Sequence, residues 1–509
     1  MQLPPHSRMP RIARADINQT AAVFVIAMVA ILVSGGAIDS RSFWIDEFGT
    51  WLISQQPSLT TWWKEFLAYP DSDGQLPFYH FFIYGWSKLF GGSEYSLRAA
   101  NVPWLILTFY GLWKSALPRE LRLLWIGALS IHSFTWFYLN EARPYVLVMS
   151  GAALTCSGLT HLMGAADRRP QASVARGISL YLTGCTIMVA GSILGALWVA
   201  STAFALLWLY RAKLKVLLVA LWSQRLLLLL CFAFALSIVL VALNSFLHGA
   251  RPSPIKFSVL GVGYGFIELL GMAGIGPGRN ELRQVISLVQ IIPMAVLAGI
   301  GSYVAVNSAQ CLPRREFWPL MLAALVPLTM LMFIGELISM RVVGRHFGVL
   351  VVPLALGYAY WVYRIPESAI RAALGLIVVM GLVVSSVLIR VSPHHNKDDY
   401  ARAAALACEG LQPNDIVWWV ADPRGGAYYG AVSIQALRTE RLRRTDGHWI
   451  AIACGSPTWH DPQTSPSPKR IVLSKPDLYD VDGTISSYVA KHRFRKEAEF
   501  STFTIFAAH

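Results

Sequence analysis

Apolar runs of about 20 residues, separated by short polar segments, recur along the chain as far as residue 391, and a run of that length crosses a bilayer as a helix. They predict about eleven spans, near 21–38, 99–117, 121–139, 145–163, 178–190, 194–209, 226–247, 285–306, 317–335, 347–363 and 372–389. The first is an anchor and not a cleaved leader, because Arg41 and aromatic residues follow it instead of a small-x-small site. From about Ser392 the pattern changes: charged residues become frequent and their signs nearly balance. There, 415–420 and 470–474 read as short buried strands and 398–408 as a helix. The prediction is an α-helical polytopic membrane domain over residues 1–391, followed by a small α/β domain over 392–509. Neither a solenoid repeat nor the inverted repeat of a transporter is visible.

Composition agrees with this class. Of the 509 residues 55% are apolar and only 14% charged, too few charges for an ordinary soluble enzyme and too many apolar residues for a disordered chain. A net charge of +14 would raise nucleic acid as a partner in a soluble protein. Here its distribution excludes that reading. With the N-terminus in the cytoplasm, Arg119, Arg122, Arg168, Arg169, Arg176, Arg211, Lys213, Lys215, Arg314, Arg315, Arg364 and Arg371 all fall in inside loops, as the positive-inside rule requires. The expected location is a bacterial inner membrane, crossed many times, with the C-terminal domain in the periplasm.

On that topology the chemistry gathers at the outer face. The loop 39–98 opens with Trp44-Ile45-Asp46-Glu47-Phe48, two adjacent acids among large apolar residues. Partial desolvation there suits a base, whereas an interfacial aromatic belt with two solvated carboxylates is the bland alternative. Gln75-Leu76-Pro77-Phe78-Tyr79-His80 follows, a turn into an amphipathic stretch, 80–90, too short to span and suited to the membrane surface. The third span ends in Asn140-Glu141-Ala142-Arg143-Pro144-Tyr145, where Glu and Arg either seal helix ends or, through the arginine fork, hold phosphate. Arg341, Arg345, His346, Arg251 and Lys256 share this face and call for an anion, either lipid head groups or a phosphate substrate. Glu268, in an apolar part of an outer loop, lines a substrate cavity or caps an interfacial helix. The glycines of 274–278 read as a flexible turn. His394, His395, Asp398 and Asp399 match no standard ligand spacing and read as a solvated linker, so no metal residue is assigned, although a divalent cation stays open. Cys408 and Cys454 either pair in an oxidising compartment or stay free, and Cys156, Cys185 and Cys231 are core residues within spans.

The Trp-x-Asp-Glu at 44–47, the Gln-Leu-Pro-Phe-Tyr-His turn at 75–80, the Glu-Ala-Arg-Pro-Tyr at 141–145, and Arg345-His346 with Pro353 resemble the GT-C membrane glycosyltransferases. Within them the chain is most similar to the branch that uses polyprenyl-phosphate sugars, the protein O-mannosyltransferase-like and lipid A aminoarabinose transferase-like enzymes. The resemblance implies an inverting hexosyl or pentosyl transferase that moves a sugar from a polyprenyl phosphate, such as undecaprenyl phosphate, to a hydroxyl of a cell-envelope glycan, glycolipid or protein. It implies Asp46 as the base and Glu47 as the residue orienting that base or the acceptor. Arg143, Arg345, His346, Tyr79 and Glu141 would meet the donor's phosphate, and Trp44, Gln75, His80, Tyr145 and Glu268 would line the donor or acceptor cavity. Two departures stand out: Gln75 and Leu76 occupy places where relatives often carry Lys or His before two prolines, and 191–198 lacks a histidine found in some relatives. The rival function is a transporter or a lipid or polysaccharide flippase, which would place its polar residues near mid-membrane. A non-catalytic assembly protein would leave Asp46 and Glu47 beside outer arginines unexplained.

Overall fold

The computed structural model describes residues 11–68, 77–168, 171–247, 259–281, 288–309, 314–337, 342–364, 368–432, 449–456, 459–460 and 466–508. Each predicted span falls on helix. The first is Arg11–Ala37, and the fourth to sixth are Tyr145–Arg168, Gln171–Gly191 and Ile193–Tyr210. The seventh to ninth are Arg225–Leu247, Leu288–Ala309 and Arg314–Leu337, and Ala369–Val391 is the last before the C-terminal domain. Among the described residues eight stretches are long and apolar enough to cross a membrane, which makes this an integral membrane protein. The second predicted span is shorter than expected, at 12 residues, Val102–Trp113. The third is broken into Arg119–Ser130 and Ser133–Leu139, because His132 leaves helical geometry and its Nδ1 accepts from the Phe134 N–H at 3.2 Å. The predicted loop after the sixth span contains a further helix, Leu214–Ser223.

Helix faces follow the solvent on each side. Leu226, Leu229 and Phe232 of Arg225–Leu247 are exposed, as apolar side chains are where they meet lipid. The pair Tyr145–Arg168 and Gln171–Gly191 is joined through glycines spaced seven apart on each helix. A Cβ at Gly151 would lie 2.7 Å from the Gly184 carbonyl, and one at Gly158 2.6 Å from the Gly177 carbonyl. Only bare backbone permits that approach. The rigid hairpin so formed holds the turn at Glu141 and Arg143 in place.

Loop 39–98 folds into short helices, Ile45–Ser54, Leu59–Ala68, Pro77–Phe90 and Glu94–Ala99. Pro77 starts its helix, where its missing N–H costs nothing. Phe81 and Leu89 are exposed on one side of it, as expected of a helix lying on a bilayer.

The C-terminal region forms a six-stranded sheet, β1 (Ile416–Val420), β2 (Ile450–Ala453), β3 (Trp459–His460), β4 (Arg470–Ser474), β5 (Arg495–Phe500) and β6 (Phe503–Ala507), in the order β3-β2-β1-β4-β6-β5. β1 and β4 are parallel neighbours at its centre and every residue of both is buried, β1 as a wholly apolar run and β4 around an Ile-Val-Leu centre. Helix Tyr400–Ala407 occupies most of the predicted 398–408. Cys408 and Cys454 form a disulfide. The sheet shares one core with loop 39–98: Phe48 packs edge-on to Tyr400 at 4.9 Å between ring centres, and the Tyr429 hydroxyl accepts from Phe43 N–H at 2.8 Å and donates to Glu94 at 2.8 Å. That contact anchors the helix carrying Asp46.

Candidate active site

Helix Ile45–Ser54 begins at Trp44, and the two acids stand in its first turn, where the positive end of the helix dipole favours negative charge. Glu47, at the third helical position, reaches back to the Trp44 N–H at 3.3 Å. This is one half of a capping box; an indole cannot return the other half. The rest of the Glu47 carboxylate is taken up by Arg98, whose Nε and Nη2 donate at 2.9 and 2.8 Å, and by the Ala142 N–H at 2.9 Å. Both side chains are wholly buried. Arg98 spends its other N–H groups on the Asp39, Arg41 and Ser42 carbonyls. Burial alone would raise the Glu47 pKa, but Arg98 and Lys397 outweigh it and hold the carboxyl below its ordinary value. Asp39 is likewise held well below the usual range: burial opposes this, and Arg41 and Arg390 overcome it.

Asp46 points the other way. Its side chain is a quarter exposed and forms an ion pair with Arg345, which is exposed to the same extent. The Arg143 guanidinium donates to the Asp46 carbonyl at 3.2 Å. Arg345 also lies over the rings of Trp44, at 5.8 Å, and Tyr145, at 6.0 Å. Thus Trp44, Asp46, Arg143, Tyr145 and Arg345, scattered over 300 residues of sequence, meet at one end of the bundle. His346 follows Arg345, and its Nδ1 accepts from the Val343 N–H at 3.3 Å.

Next to this group is an open pocket with Trp44, Phe137, Tyr138, Glu268, Arg279 and Lys397 in its wall. Aromatic walls with a few charged groups are the usual furniture of a ligand site. Glu268 is buried and paired with Arg279, which also donates to the Tyr138 hydroxyl and lies 4.1 Å above the Phe137 ring; the second Glu268 oxygen has no hydrogen bond among the described residues. Glu141, wholly buried, accepts no hydrogen bond among the described residues and has Lys397 at 3.8 Å. Burial raises its carboxyl to about 7, against the pull of Lys397, and burial lowers Lys397 to about 8 despite Glu47 and Glu141.

Several predicted residues stand elsewhere. Tyr79 and His80 are fully buried in the packing of helix Pro77–Phe90 and do not line the cavity. Gln75, Arg251, Lys256 and Arg341 lie outside the described residues. His394 pairs with Glu281, the His395 Nε2 meets the Gly274 carbonyl at 2.9 Å, Asp398 pairs with Lys475, and Asp399 caps helix Tyr400–Ala407. Among the described residues no three His, Cys, Asp or Glu side chains gather in a way that could hold a metal ion. Arg98, Arg279 and Lys397 were not singled out by sequence. For Arg279 an arginine in a predicted outer loop was the available signal; for Lys397, in a polar linker, there was none.

No family model matches the chain, and no curated protein matches it by sequence. Solved structures do. The ligand-free crystal structure of ArnT from Cupriavidus metallidurans superposes with a TM-score of 0.52 at 12% identity, over 96% of this chain and 98% of that one. The same protein bound to undecaprenyl phosphate gives 0.48 at 13% identity, over 96% and 98%. An oligosaccharyltransferase from Archaeoglobus fulgidus, in complex with zinc and sulfate, gives 0.42 at 14%, over 77% of this chain and 55% of that one. The superposition on ligand-free ArnT runs through nearly the whole length of both chains; the chain has the fold of the GT-C membrane glycosyltransferases.

Proposed function

We propose that this protein is an inverting glycosyltransferase that moves a sugar from a polyprenyl-phosphate donor to an acceptor hydroxyl. One observation carries the reading: Asp46 is a partly exposed carboxylate at a helix N-terminus, gripped by Arg345, beside an aromatic and charged cavity on a GT-C fold. In the proposed reaction the acceptor oxygen attacks the anomeric carbon as Asp46 takes its proton. The bond from that carbon to the phosphate oxygen breaks, and the electron pair leaves with polyprenyl phosphate. Displacement in one step inverts the anomeric centre. Charge grows on the departing phosphate, and fixed cations there lower the barrier. Arg143 and Arg345 fill that role, with His346 and Glu141 behind them. Glu47 acts through its hold on the first turn of the helix, and Tyr79 and His80 through packing. Trp44, Tyr145 and Glu268 shape the donor or acceptor cavity.

The basic loops support a cytoplasmic N-terminus, and the disulfide Cys408–Cys454 supports a C-terminal domain in an oxidising compartment such as the periplasm. Acceptor lipids, glycans and proteins of the cell envelope are available there.

The test is transfer by the purified protein and by Asp46→Asn, with a panel of radiolabelled polyprenyl-phosphate sugars and a membrane extract as acceptor. Label moved by the wild type alone supports both the reaction and its base. Equal movement by both removes Asp46 from the mechanism, and no movement across the panel turns the reading toward a transporter.

A further inference from the structure

The linker between the last span and the sheet delivers a cation into the cavity. Lys397 is 11% exposed and stands in the cavity wall with Arg279. Both cations lie against one ring, Phe137, with Arg279 at 4.1 Å and Lys397 at 5.5 Å from its centre. Trp44 is 5.9 Å from the Lys397 ammonium on another side. Arg279 is already paired with Glu268, so it is the Lys397 charge that this partly dry cavity leaves for an anion.

The neighbouring carboxylates do not use up the Lys397 charge. Of its three N–H bonds one is given to the Asn140 carbonyl. Glu47 and Glu141 are each 3.8 Å away, beyond hydrogen-bond reach. Glu47 is already satisfied by Arg98 and two backbone N–H groups, and burial drives Glu141 toward its neutral form.

We propose that Lys397 is a direct ligand of the donor lipid's phosphate, so that the linker to the C-terminal domain completes the donor site. This rests on the transferase reading above. Lys397 and Arg279 hold the phosphate from two sides, and the polyprenyl chain leaves through the open mouth. The ligand is a phosphate ester of a long-chain lipid, recognised through its phosphate oxygens.

The experiment is equilibrium binding of undecaprenyl phosphate to the full-length protein in phosphatidylcholine nanodiscs, comparing wild type with Lys397→Met and Lys397→Arg. Removing one charge-assisted hydrogen bond is expected to weaken binding roughly tenfold to hundredfold, with partial recovery in the arginine variant. Undecaprenol, which lacks the phosphate, should bind weakly and equally to all three. Lys491→Met removes an exposed cation of the C-terminal domain that is not in the cavity wall, and should leave the affinity unchanged. Should Lys397→Met fail to fold, Lys397→Met with Glu141→Gln removes cation and acid together, leaves Glu47 matched by Arg98, and should still lose affinity. Wild-type affinity in the methionine variants overturns the proposal. So does an equal loss for phosphatidylglycerol or inorganic phosphate, which would mark a general anion site. A wild-type protein that binds no undecaprenyl phosphate overturns the transferase reading itself.

Discussion

Asp46 and Glu47 are adjacent in sequence and belong to two different regions. Behind the helix that carries them, Glu47, Arg98 and Asp39 form a buried network in which the Glu47 oxygens and the N–H groups of Arg98 are matched by named partners. In front, on the cavity side, matching is incomplete: both Glu141 oxygens, one Glu268 oxygen and the Trp44 indole N–H have no hydrogen bond among the described residues. Leaving buried polar groups unpaired costs free energy, so a fold that tolerates several in one place while saturating its neighbour has divided their tasks. In the proposed reaction the matched side sets the position of the helix, and the cavity side offers its polar groups to the ligand.

The division can be broken experimentally. The largest expected effect is on turnover: Asp46→Asn should reduce transfer about 10²–10⁴-fold, the usual worth of a placed general base, with the thermal unfolding midpoint in detergent nearly unchanged. A large drop in that midpoint would move Asp46 to the structural side. Arg98→Met should do the reverse to the fold, costing about 3–5 kcal/mol because it strands a buried Glu47 charge; the readout is loss of monodisperse protein or a strongly lowered midpoint. Adding Glu47→Gln to it should recover part of the loss, and no recovery would show that the pair is not the source.

A smaller and pH-dependent effect sharpens the contrast. Burial raises Glu141 from 4.5 to about 7, so the folded state binds its proton more tightly than the unfolded chain does. The resulting stabilisation is complete below about pH 4.5 and is lost as pH rises through 7. Glu141→Gln should therefore unfold near the wild-type midpoint at pH 5 and above it at pH 8.5, by at most ~3 kcal/mol. Coincident midpoints at both values would mean that Lys397 keeps Glu141 ionised throughout.

Much of the molecule was legible in the sequence. Apolar runs located the helices, the change of composition near residue 392 located the sheet, and 415–420 and 470–474 were recognised as strands from their short apolar centres, Ile-Val-Trp-Trp-Val and Ile-Val-Leu. The short second span and the break at His132 were not legible, since hydropathy averaged over a window does not register where backbone leaves helical geometry. In the site, the Asp46 and Arg345 pairing could be guessed only as membership of one face, and the adjacent Glu47 looked equivalent to Asp46.

The sequence alone determined that this is a polytopic membrane protein with a terminal α/β domain, because hydropathy and strand patterning are local and repeat along the chain. Tertiary structure alone decided which acid is buried against Arg98 and which faces Arg345. It also decided that Lys397, some 350 residues from Trp44, stands in the same cavity wall. The physical reason is that side-chain charge is written in the chain, whereas its partners, its burial and therefore its use depend on contacts between segments that only folding brings together.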